Sequence, residues 1–217
     1  MSRRSVARLA GAVGLWAACA LGDAVAQPAE IEPQRVDAAR LMNELMTGTG
    51  PIGGPFLLPD QNGRRVGPGP WRGKVVLMYF GYTFCPDACP ADLSNIAAAI
   101  ENLGPEGARV QPVFVTLDPL RDTPKMLGAY AESFNPRFAA LGGTEDEVRH
   151  VALSYKVFYE KVVRPGSDVY LIDHTSFTYV LDTRGQYAGY FPPGTSGKRM
   201  AEQVRALLAG SSWRRNP

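Results

Sequence analysis

Val75-Val76-Leu77-Met78-Tyr79-Phe80-Gly81-Tyr82-Thr83-Phe84-Cys85-Pro86-Asp87-Ala88-Cys89-Pro90 is the stretch on which the fold turns. Its first six residues are continuously apolar, with no polar alternation, as expected of a strand covered on both faces in a parallel sheet. The two cysteines then fall at the carboxyl end of that strand, where open α/β sheets build their sites. Pro86 suits the first position of a helix, which would set Cys85 at a helix N-terminus. The partial positive charge there lowers a thiol pKa and favours the thiolate needed both by soft metals and by disulfide chemistry.

Outward from this stretch the periodicity alternates between strand and helix. Residues 91–103 read as a helix and 110–117 as a second apolar strand. Thr123 with Pro124 reads as cap and first residue of a helix to about Phe134. A helix over 144–155 places Val148, Val151, Ala152 and Tyr155 on one face. Strands are expected at 157–163 and 169–172 around Arg164-Pro165-Gly166, and a hairpin at 177–181 and 186–191 through Arg184-Gly185. Ser196 caps a final helix to Leu208. Upstream, Asp60-Gln61-Asn62-Gly63 is a turn joining Phe56-Leu57-Leu58 to Arg65-Val66. The order predicts an α/β sandwich over residues 52–209 with a short tail at 210–217. Residues 27–51 read as a linker or short helix, in which Met42 and Met46 serve packing rather than soft-metal binding.

The amino terminus has a different character. Arg3, Arg4 and Arg8 precede a charge-free run of 13 residues, 9–21, and Ala24-Val25-Ala26 supplies small residues before Gln27. This is the layout of a signal peptide over 1–26. The run is short for a membrane span, which needs about 20 apolar residues, although an uncleaved anchor is the alternative. Ser2-Arg3-Arg4 resembles a twin-arginine signal. Lipidation at Cys19 is disfavoured because Leu15 lies one place too far away and Trp16 stands where Leu is usual. Export would put the chain in the periplasm, an oxidising space in which cysteines normally pair.

Composition narrows the function. Apolar residues make up 45% and charged residues 20% of 217, with only 3 Cys, which excludes disordered and disulfide-stapled classes. Without Arg3, Arg4, Arg8 and Asp23 the chain carries 20 basic and 20 acidic side chains. That balance leaves no clustered cationic excess, so nucleic acid is not an expected partner.

Three readings compete for Cys85 and Cys89. A structural staple across so small a loop gains little, about 2 kcal/mol by the chain-entropy relation. A redox couple fits the compartment, but thioredoxin-type oxidoreductases place two residues between their cysteines and here there are three. Residues four apart on a regular helix hold their Cβ atoms about 5–6 Å apart, wider than the ~3.8 Å of a disulfide. A metal tolerates the wider spacing, since each sulfur lies ~2.3 Å from the ion. Spacing therefore tilts toward metal without excluding redox. Of the two histidines, His150 reads as a partly exposed helix residue. His174, in the polar link Asp173-His174-Thr175-Ser176, reads on its own as a hydrogen-bonded loop residue. Two thiolates and one imidazole would suit Cu(I) better than structural zinc, which wants four ligands.

Three segments together resemble a known group. Gly81-Tyr82-Thr83-Phe84-Cys85-Pro86-Asp87-Ala88-Cys89-Pro90, Leu117-Asp118-Pro119-Leu120-Arg121-Asp122-Thr123-Pro124 and Asp173-His174-Thr175-Ser176-Phe177 are similar, in this order, to the Sco/SenC copper-chaperone family. The likeness spans residues 52–208. It implies a thioredoxin-like sandwich, with a central mixed sheet flanked by helices and an added N-terminal hairpin. It also implies that Cys85, Cys89 and His174 hold copper, as Cu(I) and, as an open second state, Cu(II). The role it implies is assembly of the binuclear copper centre of cytochrome c oxidase, by delivering copper, by reducing target cysteines, or both. The implied partners are the copper-bearing oxidase subunit and, as further candidates, another periplasmic copper carrier or a thiol reductant. The alternative is a thiol-disulfide oxidoreductase cycling a Cys85–Cys89 disulfide, with His174 only tuning reactivity. Turnover enzymology is not the expected role. The segment 118–124 matches a family loop, for which the residues themselves justify only helix capping. The short run 9–21 departs from the membrane helix of many relatives, and Ala88 stands where a β-branched residue is common.

Overall fold

The computed structural model describes residues 31–47, 51–166, 168–211 and 213. The export segment read at 1–26, with Cys19, lies outside them, as does most of the tail at 210–217. The elements are α1 (Ile31–Thr47), β1 (Leu58–Pro59), β2 (Arg65–Val66), β3 (Val75–Gly81), α2 (Ala88–Asn102), β4 (Val110–Thr116), α3 (Pro124–Glu132) and β5 (Ala139–Leu141). They continue with α4 (Glu145–Ser154), β6 (Tyr159–Val163), β7 (Tyr170–His174), β8 (Thr178–Leu181), β9 (Tyr187–Phe191) and α5 (Gly197–Leu208). Five strands form one mixed sheet in the order β5-β4-β3-β8-β9. The pairs β3/β4 and β4/β5 are parallel, and β3/β8 and β8/β9 are antiparallel. The hairpin β6/β7 pairs only within itself, whereas β1/β2 meets the edge of the sheet through an isolated bridge between Asp60 and Leu141. This is the thioredoxin-like α/β sandwich, with its added N-terminal hairpin.

The continuous apolar run of β3 acquires its meaning from the two cores. Side chains alternate across a strand, so Val75, Leu77 and Tyr79 enter one core with α2, α3 and α5, while Val76, Met78 and Phe80 enter the other with α4. Every residue of β3 is buried. Caps set the helix starts. Thr123 Oγ1 accepts from Met126 N (3.3 Å) at α3, and Ser196 Oγ accepts from Arg199 N (3.4 Å) at α5. Thr144 and Glu147 exchange reciprocal bonds in a capping box at α4. The segment read as linker or short helix is α1, whose Leu41 and Leu45 are buried. No helix among the described residues is long and apolar enough to cross a membrane.

One strand was not foreseen and one local expectation is corrected. The three-residue edge strand β5 is too short to carry a periodicity of its own and forms through its ladder with β4. His174 is the last residue of a strand rather than part of a link, because the β6/β7 register pairs it with Tyr159.

Candidate metal centre

The cysteines sit where β3 gives way to α2. Leu117 N donates to the Gly81 carbonyl (2.7 Å), which ties together the carboxyl ends of β3 and β4 beneath the site. Gly81 has no room for a side chain: a Cβ there would stand 2.7 Å from Cys89 Sγ and 3.2 Å from the Phe114 ring. Pro86 does not start the helix, contrary to expectation. Asp87, at φ −142° and ψ −80°, is outside helical geometry, and α2 opens at Ala88. Cys85 therefore lies in the turn before the helix, held by its N–H to the Tyr82 carbonyl (3.2 Å), and Cys89 lies in the first helical turn. The regular-helix spacing that argued against a Cys85–Cys89 disulfide therefore does not apply. A free amide of the helix N-terminus still reaches the sulfur, since Cys89 N donates to Cys85 Sγ at 3.4 Å.

His174 comes from 85 residues further along the chain, and its Nε2 stands 3.4 Å from Cys89 Sγ. Its Nδ1 is 3.2 Å from the Thr175 carbonyl. A carbonyl only accepts, so this bond places a proton on Nδ1 and turns Nε2 toward the sulfurs. Tyr79 and Tyr82 meet the imidazole edge to face, at 6.2 and 6.1 Å between ring centres. The donor atoms of Cys85, Cys89 and His174 all lie within 4.8 Å of one another, and among the described residues no other group of three or more Cys, His, Asp or Glu converges in this way. His150 is exposed on α4, the helix that packs on the opposite core, and takes no part.

The two sulfurs are electrostatically unequal. Hydrogen bonding from Cys89 pushes the Cys85 thiol down to about 4; His174 and the backbone N–H groups of Asp87 and Cys89 assist, against the opposing effect of burial. Cys89 moves far in the other direction, because its proton is shared with the Cys85 sulfur and its own site is buried. The metal-free pair is thus a half-exposed thiolate beside a buried thiol. Behind it lie two buried polar atoms without hydrogen-bond partners, the Tyr79 hydroxyl and Asp92 Oδ2, and burial raises the pKa of both groups.

The loop after β4 does more than cap α3. Asp122, fully enclosed, accepts from Thr83 N (3.0 Å) and Thr116 Oγ1 (2.6 Å), and so fixes the loop that carries the cysteines. Asp118 pairs with Arg121 Nε and accepts the Tyr170 hydroxyl bond at 2.8 Å. The only sequence signal for these roles is the acid-rich Asp118-to-Asp122 run directly after a buried strand, at the edge where the cysteines lie.

A family profile described as SCO1/SenC matches residues 45–209. An SCO2-like protein of Rickettsia prowazekii is 43% identical over 152 residues, covering 70% of this chain and 74% of its own. Protein sco1 of Schizosaccharomyces pombe is 36% identical over 156 residues, covering 70% of this chain and 59% of its own. The structure of Bradyrhizobium japonicum ScoI with copper bound superposes with a TM-score of 0.66 at 36% identity, over 72% of this chain and 99% of that one. Yeast Sco1 with copper bound gives 0.66 at 34%, over 74% and 90%.

Proposed function

The chain belongs to the SCO1/SenC family, and from that premise we propose that it is an exported copper-binding assembly factor for cytochrome c oxidase, with Cys85 and Cys89 as thiolate ligands and His174 as the imidazole donor. The observation that carries this reading is the convergence of the three donor atoms within 4.8 Å. Two sulfurs and one nitrogen form a soft set that favours Cu(I) over hard cations. Related proteins with copper bound support the same choice of cargo. Each ligand has a prepared role. Cys85 is already ionised, His174 turns Nε2 toward the sulfurs, and Cys89 releases its proton as it binds. Because Cys85 is partly exposed, an incoming thiolate from the oxidase copper-bearing subunit can join the ion before Cys85 or Cys89 lets go. The charge-free run at 9–21 supports periplasmic export, with retention as an inner-membrane anchor the alternative.

A second reading rests on the inequality of the thiols. The Cys85 thiolate can attack a disulfide of a target, expel one target thiolate and form a mixed disulfide. Cys89 then displaces the second thiolate, leaving the target reduced and the Cys85–Cys89 pair oxidised. The discriminating experiment is metal analysis of the freshly reduced, tag-free protein beside its variants. One Cu(I) per chain is expected, with His174→Ala weakening retention and Cys85→Ser or Cys89→Ser nearly abolishing it. Equal uptake by the double cysteine variant overturns the copper assignment. Disulfide-reducing activity that survives His174→Ala without any metal favours the second reading.

A further inference from the structure

Resting on the copper reading above, we propose that Arg121 is a positioning residue for His174, acting through Tyr170 to hold the β6/β7 hairpin over the cysteines. The hairpin shares no ladder with the five-stranded sheet, and most of β6 is exposed. Its hold on the molecule comes from a few side chains. Ile172 is buried and donates its N–H to the Tyr82 hydroxyl (3.2 Å), and Lys161 pairs with Glu145 of α4 (3.1 Å), while Thr175 and Phe158 bond one another across the hairpin's own base. Tyr170, four residues before His174 on the same strand, is held by three of its parts. Its carbonyl accepts from Arg121 Nη1 (3.0 Å), its ring lies 3.7 Å from the guanidinium carbon, and its hydroxyl donates to the buried Asp118. The same guanidinium lies 5.0 Å from the ring of Phe84, the neighbour of Cys85. One cation thus touches the segment that supplies a sulfur and the strand that supplies the imidazole.

The grip is strong in geometry yet incomplete in hydrogen bonding. Arg121 Nη2 is buried without a partner. Enclosure by Tyr170 and Phe84 therefore removes one donor from water without replacing it, and opening the hairpin would return that donor to solvent. Attraction to the ring and carbonyl is thereby set against restored hydration. A closed arm that can open without unfolding the sheet suits a ligand that must both hold and release its cargo.

The test is Cu(I) affinity of the reduced full chain, measured by competition with bicinchoninate, together with amide hydrogen exchange of the metal-free protein. Arg121→Met, which keeps the apolar stem, is expected to weaken Cu(I) binding about 10-fold. It is expected to weaken it no further in a His174→Ala background. Amides of β6 and β7 should exchange faster while those of β3 and β4 do not change, and Arg121→Lys should recover only part of the affinity. Tyr170→Leu, which leaves the Arg121–Asp118 pair intact, is expected to give the same pattern and serves if Arg121→Met does not fold. Unchanged affinity and unchanged hairpin exchange overturn the proposal, as does an equal loss with and without His174. Failure of the wild type to take up Cu(I) instead sinks the copper reading, a result distinct from a wild type that binds and a variant that matches it.

Discussion

Cys85 and Cys89 are only four positions apart, yet the fold gives them opposite protonation. Cys85 receives a hydrogen bond from its partner thiol and the free amides at the start of α2, whereas Cys89 is enclosed by Gly81 and the core. The consequence is measurable as reactivity. Reduced protein treated with iodoacetamide at pH 6 is expected to be alkylated at Cys85 and not at Cys89. The Cys85 rate should fall only as the pH approaches about 4. Equal labelling of both cysteines, or a Cys85 profile that rises only above pH 8, overturns this assignment. The sign for stability follows from the same shift. A thiol whose folded pKa lies below its unfolded value of 9.0 contributes stability that is full above that value. The contribution is lost progressively as the pH falls to about 4.

Among the elements, α4 shows how local chemistry fixes a boundary. Thr144 accepts from Glu147 N (3.2 Å), and Glu147 accepts from Thr144 N (2.9 Å) while also pairing with Arg65 of β2. Thr144→Ala is expected to cost about 1 kcal/mol in urea unfolding. The copper stoichiometry should not change, because α4 packs on the core away from the cysteines; a loss of metal uptake would show the two cores to be coupled. Elements with such short-range signals were legible in the sequence: the buried run of β3, Thr123-Pro124 before α3, Ser196 before α5, and the turn at Asp60. The cysteine pair was legible for the same reason. What could not be read depended on pairing across distance. β5 forms through β4 on one side and the Asp60 bridge on the other. The strand expected at 169–172 runs on to His174 only because β6 pairs with it there. Asp122 and Asp118 reach partners 39 and 52 residues away. The resemblance placed His174 with the cysteines before any geometry did.

At the scale of the molecule, one sheet separates two cores, and the site belongs to only one of them. The second core is closed at its edge by α1, through Leu45 and the ion pair of Glu44 with Lys156. Leu45→Ala is expected to lower unfolding stability by about 2–5 kcal/mol, read by urea denaturation. A loss below 1 kcal/mol would mean that α1 is a tether lying on the surface rather than part of the packed unit. The order of the donors along the polypeptide has a consequence of its own. Two sulfurs are neighbours in any conformation, but the imidazole, 85 residues further along, is brought to them by the folded β6/β7 hairpin. On the proposed ligand set, a copy in which that hairpin has not formed offers two donors in place of three and is expected to retain the ion less tightly than the folded protein.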